Sequence, residues 1–193
     1  MTLKRLTDTA VEPVTADVLK SFLVGVPDTD APLLRMMTRS ARHTLEALSG
    51  QALCLAGNPE TWEAYYTLEE WESTFLTDGF LTIPVLPVVT VVSITERRVS
   101  ANEVVAATVY HVDAVTGRIY LKESQDWPHE EDSHTDCAGY TVNWTAGHAA
   151  VPSWAEDGIT RVASYLYEHN GELVGTDMNL VAARLCPLSV RFL

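Results

Sequence analysis

The sequence predicts an α+β protein: two helices near the N-terminus, a block of about five strands, a further helix and a C-terminal arm. Three observations predict it. Phe80 to Ile94 is the most apolar and most β-branched run of the chain, and Pro84 and Pro87 interrupt it. Val, Ile and Thr on either side of a proline-bounded corner describe a strand that turns and continues as another, whereas a membrane helix needs about 20 apolar residues without such breaks. Residues about 31 to 49 repeat apolar side chains every three to four positions, as an amphipathic helix does. From Thr61 to Tyr66 the period falls to two, that of a strand.

In chain order, Pro13-Val14-Thr15-Ala16-Asp17 reads as a helix entry with Thr15 as N-cap and Asp17 in the first turn, where the helix dipole favours negative charge. Val18, Leu19, Phe22 and Leu23 form its apolar stripe, and Gly25 and Pro27 end it. Asp28-Thr29-Asp30 offers a second N-cap with Pro32 in the first turn. Leu33, Leu34, Met37, Ala41, Leu45 and Leu48 then mark one face of a long helix closed at Gly50, and Arg35, Arg39, Arg42 and Glu46 its outer face. In the β block, Trp62, Ala64 and Tyr66 alternate with polar neighbours, and an acidic loop is expected around Glu69-Glu70-Trp71-Glu72. Thr108 to Val112 and Arg118 to Leu121 flank a hairpin bend at Gly117, and Tyr140 to Trp144 is the last strand. Val151-Pro152-Ser153 opens a further helix with Ala155, Ile159, Val162, Ala163 and Leu166 on one face. Thr176-Asp177 can cap a short helix that Pro187 terminates, and Leu188 to Leu193 form an apolar, basic tail of the kind that docks on something.

Composition narrows function. At 193 residues one domain with a real core is the working expectation. Acids outnumber bases 26 to 13, a formal charge of −13, so a surface that grips nucleic acid by counterion release is disfavoured, and the charge instead favours solubility or a surface that repels a polyanion. Cys54, Cys137 and Cys186 form no CxxC pair and read as reduced thiols in a cytoplasmic setting. The N-terminus lacks an apolar core of signal-peptide length, which argues against export by that route.

Chemistry is thinly marked. His129-Glu130-Glu131-Asp132-Ser133-His134-Thr135-Asp136-Cys137 holds every first-row metal ligand type, yet its spacing fits no zinc motif, and a solvated acidic loop is the plainer reading. No GxSxG elbow, P-loop, dinucleotide fingerprint or HExxH occurs. His111 reads as a strand residue, and His43 as a surface one. Trp62, Trp71, Trp127, Trp144 and Trp154 read as core or interface anchors more than as a ligand groove. Neither a metal nor a cofactor is expected. A metal-dependent or hydrolytic enzyme using the His129 to Cys137 loop, and a monomeric binding module with an aromatic groove, stand as alternatives.

Several strings, in this order and spacing, resemble the head–tail connector (adaptor) proteins of long-tailed bacteriophages and gene transfer agents. They are Pro13-Val14-Thr15; Asp28 through Ser49-Gly50-Gln51-Ala52-Leu53; Thr61-Trp62-Glu63; Leu81-Thr82-Ile83-Pro84-Val85-Leu86-Pro87-Val88 leading to Val92-Ser93-Ile94. Tyr110-His111-Val112-Asp113, Gly117-Arg118-Ile119-Tyr120-Leu121, Trp127-Pro128, Tyr140 to Gly147, Val151-Pro152 and Tyr167 to Glu172 complete them. The likeness covers about residues 10 to 172; the stretches 67–78 and 129–137 and the tail depart from it. It implies a single connector domain over 1–193: a small helical bundle (helices about 15–50 and 152–170), a β-rich insertion (about 61–146) and an arm (about 176–193). It further implies no enzyme but a homo-oligomeric ring, commonly of twelve, in the neck of a particle assembled in the bacterial host cytoplasm. That ring binds the portal protein and the next stopper or terminator ring, and passes DNA without binding it specifically or touching a membrane. On this reading Leu188, Val190, Arg191, Phe192 and Leu193 meet the partner, and Arg35, Arg39 and Arg42 face the next subunit.

Overall fold

The computed structural model describes residues 1–98, 101–127, 138–169 and 171. Among the described residues there are four α-helices and two antiparallel sheets, one of five strands and one of three. The chain divides into two compact units, residues 1–9 with 59–147, and 10–58 with the segment that begins at His148.

The helical unit holds α1 (Ala16–Phe22), a 3-10 turn (Asp28–Asp30), α2 (Ala31–Ser49) and α4 (Ser153–Glu168). Thr15 caps α1 as its sequence indicates, its hydroxyl accepting from the Val18 N–H at 3.3 Å. Of the α1 stripe only Leu19 is buried; Val18 and Phe22 are exposed, because seven residues give the helix one inward turn. The core joins Val14, Leu19, Leu34, Ala41, Leu45 and Leu53 to Ala155, Ile159, Val162, Ala163 and Leu166, the inner stripes of α2 and α4. Gly50 ends α2 in the left-handed conformation. The Tyr167 hydroxyl donates to Asp30 at 2.7 Å, tying the end of α4 to the start of α2.

The β unit contains β1 (Thr2–Thr7), β2 (Glu60–Thr67), α3 (Leu68–Asp78), β3 (Phe80–Thr82), β4 (Val88–Arg97), β5 (Glu103–Val104), β6 (Tyr110–Asp113), β7 (Arg118–Leu121) and β8 (Gly139–Ala146). The larger sheet runs β1-β2-β8-β4-β5 and the smaller β3-β7-β6. The proline-bounded corner joins one sheet to the other: β3 precedes it, β4 follows it, and the Trp144 indole donates to Val85 O at 3.2 Å within it. Trp62, Ala64 and Tyr66 are buried on one face of β2 with Trp144, Val142 and Tyr140 opposite them on β8. Gly139 lets β8 reach β2, since a Cβ there would stand 2.1 Å from Tyr66 O. Gly117 makes the β6–β7 bend with φ +66°, and Asp113 stabilises it by accepting from the Val115 N–H at 3.0 Å.

Two expectations for this unit are corrected. The stretch around Glu69-Glu70-Trp71-Glu72 is helix α3, not loop: Thr67 and Glu70 form a capping box, with Thr67 N–H to Glu70 at 3.0 Å and Glu70 N–H to Thr67 Oγ1 at 3.2 Å. Its anchor is Trp71, 1% exposed and stacked on Tyr140 with ring centroids 4.3 Å apart. The residues before Asp8 form β1, which pairs with β2 and was not anticipated.

Candidate assembly surfaces

The basic face of α2 is not uniform. Arg35 and Arg39 are exposed and border a cleft of about 500 Å³ shared with Val11, Glu12, Asp17 and Met36. Arg39 Nε stands 3.3 Å from a Glu12 oxygen. Arg42 and Glu46, expected on this outer face, are buried, and that expectation is corrected. Arg42 Nη1 donates to both Glu46 oxygens at 2.9 and 3.0 Å, and its Nε donates to Glu12 at 2.8 Å. Glu46 also accepts the Leu53 N–H at 2.9 Å. The segment before α1 and the segment after α2 fold over this side of the helix, so the guanidinium is enclosed and its charge is met within the chain. His43 lies beside it, half-buried, with Nε2 at 3.2 Å from Arg42 Nη2.

A second opening in the helical unit, about 440 Å³, lies between the end of α1 and α4. Phe22 and Leu23 line one side and Asp157, Arg161, Tyr165 and Glu168 the other. Behind α2, the His148 N–H donates to Cys54 O at 2.7 Å, and burial holds the His148 imidazole below its usual pKa.

The larger sheet of the β unit ends in two strands of different character. At one margin β1 carries Lys4 and Arg5 and no acid, with Leu3 and Leu6 41% and 43% exposed. Arg5 lies over the Trp62 ring at 4.6 Å and 3.5 Å from the buried Glu60 carboxylate, which also accepts the Trp62 indole N–H at 3.2 Å. At the other margin β4 pairs with β5 only at Thr95 and Glu96. Among the described residues no strand pairs with the outer edge of β4 from Val88 to Ser93, where Val89 and Val92 are 39% and 60% exposed. This is the uncharged, β-branched run singled out from the sequence.

Other residues named from the sequence divide as follows. Trp62, Trp71 and Trp144 are core residues, and His111 is an exposed strand residue. Leu188, Val190, Arg191, Phe192 and Leu193, and the loop from His129 to Cys137, lie outside the described residues. Among the described residues no group of three or more His, Cys, Asp or Glu side chains is placed to hold a metal, and no helix is long and apolar enough to cross a membrane. Sequence reasoning missed the half-buried Glu12 and the buried acids Glu60 and Glu96: Glu12 pairs with Arg42 thirty residues on, Glu60 meets Arg5 of β1 as well as Trp62 of its own strand, and Glu96 meets Arg98 two residues on.

No protein-family profile and no curated protein matches the chain. Solved structures do. A chain in the neck of an empty gene transfer agent particle, computed with C6 symmetry, matches 100% of this chain and 98% of its own length, with TM-score 0.70 and 18% identity. This chain has the fold of a gene transfer agent neck component. A chain in the neck of the native particle, computed with C12 symmetry, matches over the same shares with TM-score 0.70 and 17% identity. One in the virion of the native gene transfer agent gives TM-score 0.67 and 18% identity. Both units and their order along the chain fall within the matched fold.

Proposed function

We propose that this chain is a structural neck protein of a tailed phage-like particle, a head–tail adaptor without enzymatic activity. Copies of it form a ring, of twelve on the family resemblance, that joins the portal to the next stopper or terminator ring and lets DNA pass. The observation that carries this reading is the match of the whole fold, end to end at TM-score 0.70, to chains in gene transfer agent necks. Charge supports it physically. At −13 per chain, twelve copies carry roughly 150 net negative charges, and an acidic lumen repels phosphates, so that DNA slides through instead of sticking. Arg35 and Arg39 project from α2 where acids of a neighbouring copy can reach them. The apolar, basic Leu188 to Leu193 segment is the portal-binding arm.

Capture on purified portal rings tests the assignment. The full chain is retained, and deletion of 188–193 abolishes retention while leaving the far-UV circular dichroism spectrum unchanged. Equal retention of both forms overturns the arm assignment, and no retention of the full chain overturns the portal role.

A further inference from the structure

We propose that β1 of one copy adds to the open edge of β4 in the next, so that the five-stranded sheet continues from subunit to subunit. The proposal rests on the neck-ring reading for the presence of neighbouring copies. Three features of the β unit support it.

The first is direction. β1 is antiparallel to β2, β2 to β8 and β8 to β4, so β1 points the same way as β8 and opposite to β4. A neighbour related by a head-to-tail rotation, the operation that generates rings, therefore presents β1 to β4 in antiparallel sense.

The second is length. Five residues of β1, Leu3 to Thr7, span only four of β2, Ala64 to Thr61, because Leu6 is bulged out. Those four face Val142 to Thr145 of β8, and on the far side of β8 the same four residues face five of β4, Ile94 to Thr90, with Val92 bulged out. Each margin thus carries one residue more than the strand inside it, over the same span. Set against each other over the open part of the edge, Lys4 comes beside Ser93, Arg5 beside Val92, Leu6 beside Val91 and Thr7 beside Thr90; the match stops at Ile94, whose carbonyl already accepts the Val105 N–H at 2.8 Å.

The third is chemistry. The uncharged, β-branched edge is a template for unwanted pairing if nothing covers it. β1 brings exposed Leu6 to Val91, and no acid or base meets its like. Pairing β1 with β1 would instead set Lys4 and Arg5 of two copies against each other.

Disulfide trapping in assembled particles tests this, using full-length chain with Lys4→Cys and Ser93→Cys together. Within one chain these positions are three strands apart, about 14 Å at the usual strand spacing, too far for an internal disulfide. Oxidation is expected to give a ladder of covalent oligomers beyond the dimer, absent from wild type and from each single variant. No ladder from a variant present in the neck overturns the edge pairing while leaving the neck reading intact. Dimers from Ser93→Cys alone overturn it in favour of β4 pairing with β4. A ladder from a chain that imaging finds outside the neck supports the pairing and removes the neck reading. Should the double variant not enter particles, a benzophenone side chain at position 4 reads the same contact: capture of a Val88 to Arg97 peptide of a second copy supports the proposal, and capture between copies of any other peptide refutes it, capture of β2 within one chain being expected from the Lys4–Glu63 pairing.

Discussion

Replacing Arg42 with Met tests the internal logic of the helical unit. The guanidinium bridges Glu12, Glu46 and, through Glu46, the Leu53 N–H, so it fastens the segments on either side of α2 to the helix. Met matches the stem but takes the Arg42 cation from Glu46 and from Glu12, which keeps Arg39 at 3.3 Å. The Glu12 side chain is 15% exposed and can recover water, whereas Glu46 is 2% exposed and cannot. Breaking a buried pair from one side costs about 3–5 kcal/mol, and partial hydration of Glu12 places Arg42→Met near the lower end of that range. A loss of about 3 kcal/mol is a more than hundredfold fall in the folded-to-unfolded ratio. Adding Glu46→Gln removes the stranded charge yet keeps an oxygen for the Leu53 N–H, so the double variant is expected to regain about 1–3 kcal/mol over Arg42→Met. Urea unfolding followed by helical circular dichroism measures both. A cost below about 1 kcal/mol for Arg42→Met, or strictly additive effects in the cycle, would refute the view that Arg42 and Glu46 stabilise the fold as a buried pair.

Three further outcomes follow from the geometry. Thr67→Ala removes the hydroxyl half of the α3 capping box and is expected to cost about 1 kcal/mol in urea unfolding, with Thr67→Ser near wild type. Trp71→Ala empties a site 1% exposed and should cost about 3–5 kcal/mol, whereas Trp71→Phe keeps a ring over Tyr140 and removes a buried indole N–H that has no partner among the described residues, so it should cost far less; thermal melts compare them. His148 is held below its usual pKa by burial, so the fold favours the neutral ring. Its contribution is fully present above the unfolded value near 6.5 and is lost as pH falls through that value towards the lower folded one. Stability measured from pH 7.5 to 5 should therefore fall less steeply in His148→Gln, and an NMR titration midpoint of His148 at or above 6.5 would contradict the assignment.

Local signals were legible in the sequence. The Thr15 cap, the Leu34, Ala41 and Leu45 stripe, the alternation from Trp62 to Tyr66 and the Gly117 bend each depend on neighbours within a few residues, and each stands where the pattern puts it. Arg42 was misread because helical spacing identifies a face but not what folds over it. Its partner Glu12 lies thirty residues earlier and the Leu53 N–H eleven later. The Thr67-x-x-Glu70 box was in plain view and would have identified α3; the density of acids there outweighed it. β1 is an outermost strand, exposed along most of its length, with two adjacent bases at its centre that break any period-two alternation, so its sequence carries no strand pattern. The surface pairing of β1 with β4 was out of reach for a different reason: it depends on strand order and on two bulges, and both are fixed by pairings between residues far apart in the chain, such as Arg5 with Trp62, Val91 with Trp144 and Glu60 with Ala146.

A reconstruction of the neck in assembled particles, with each ring traced to its polypeptide, tests the central claim most directly. The account predicts that this chain forms the ring next to the portal, with both units placed in density and DNA running through the lumen. Finding that ring built from another polypeptide, or finding this chain missing from the particle, would contradict it.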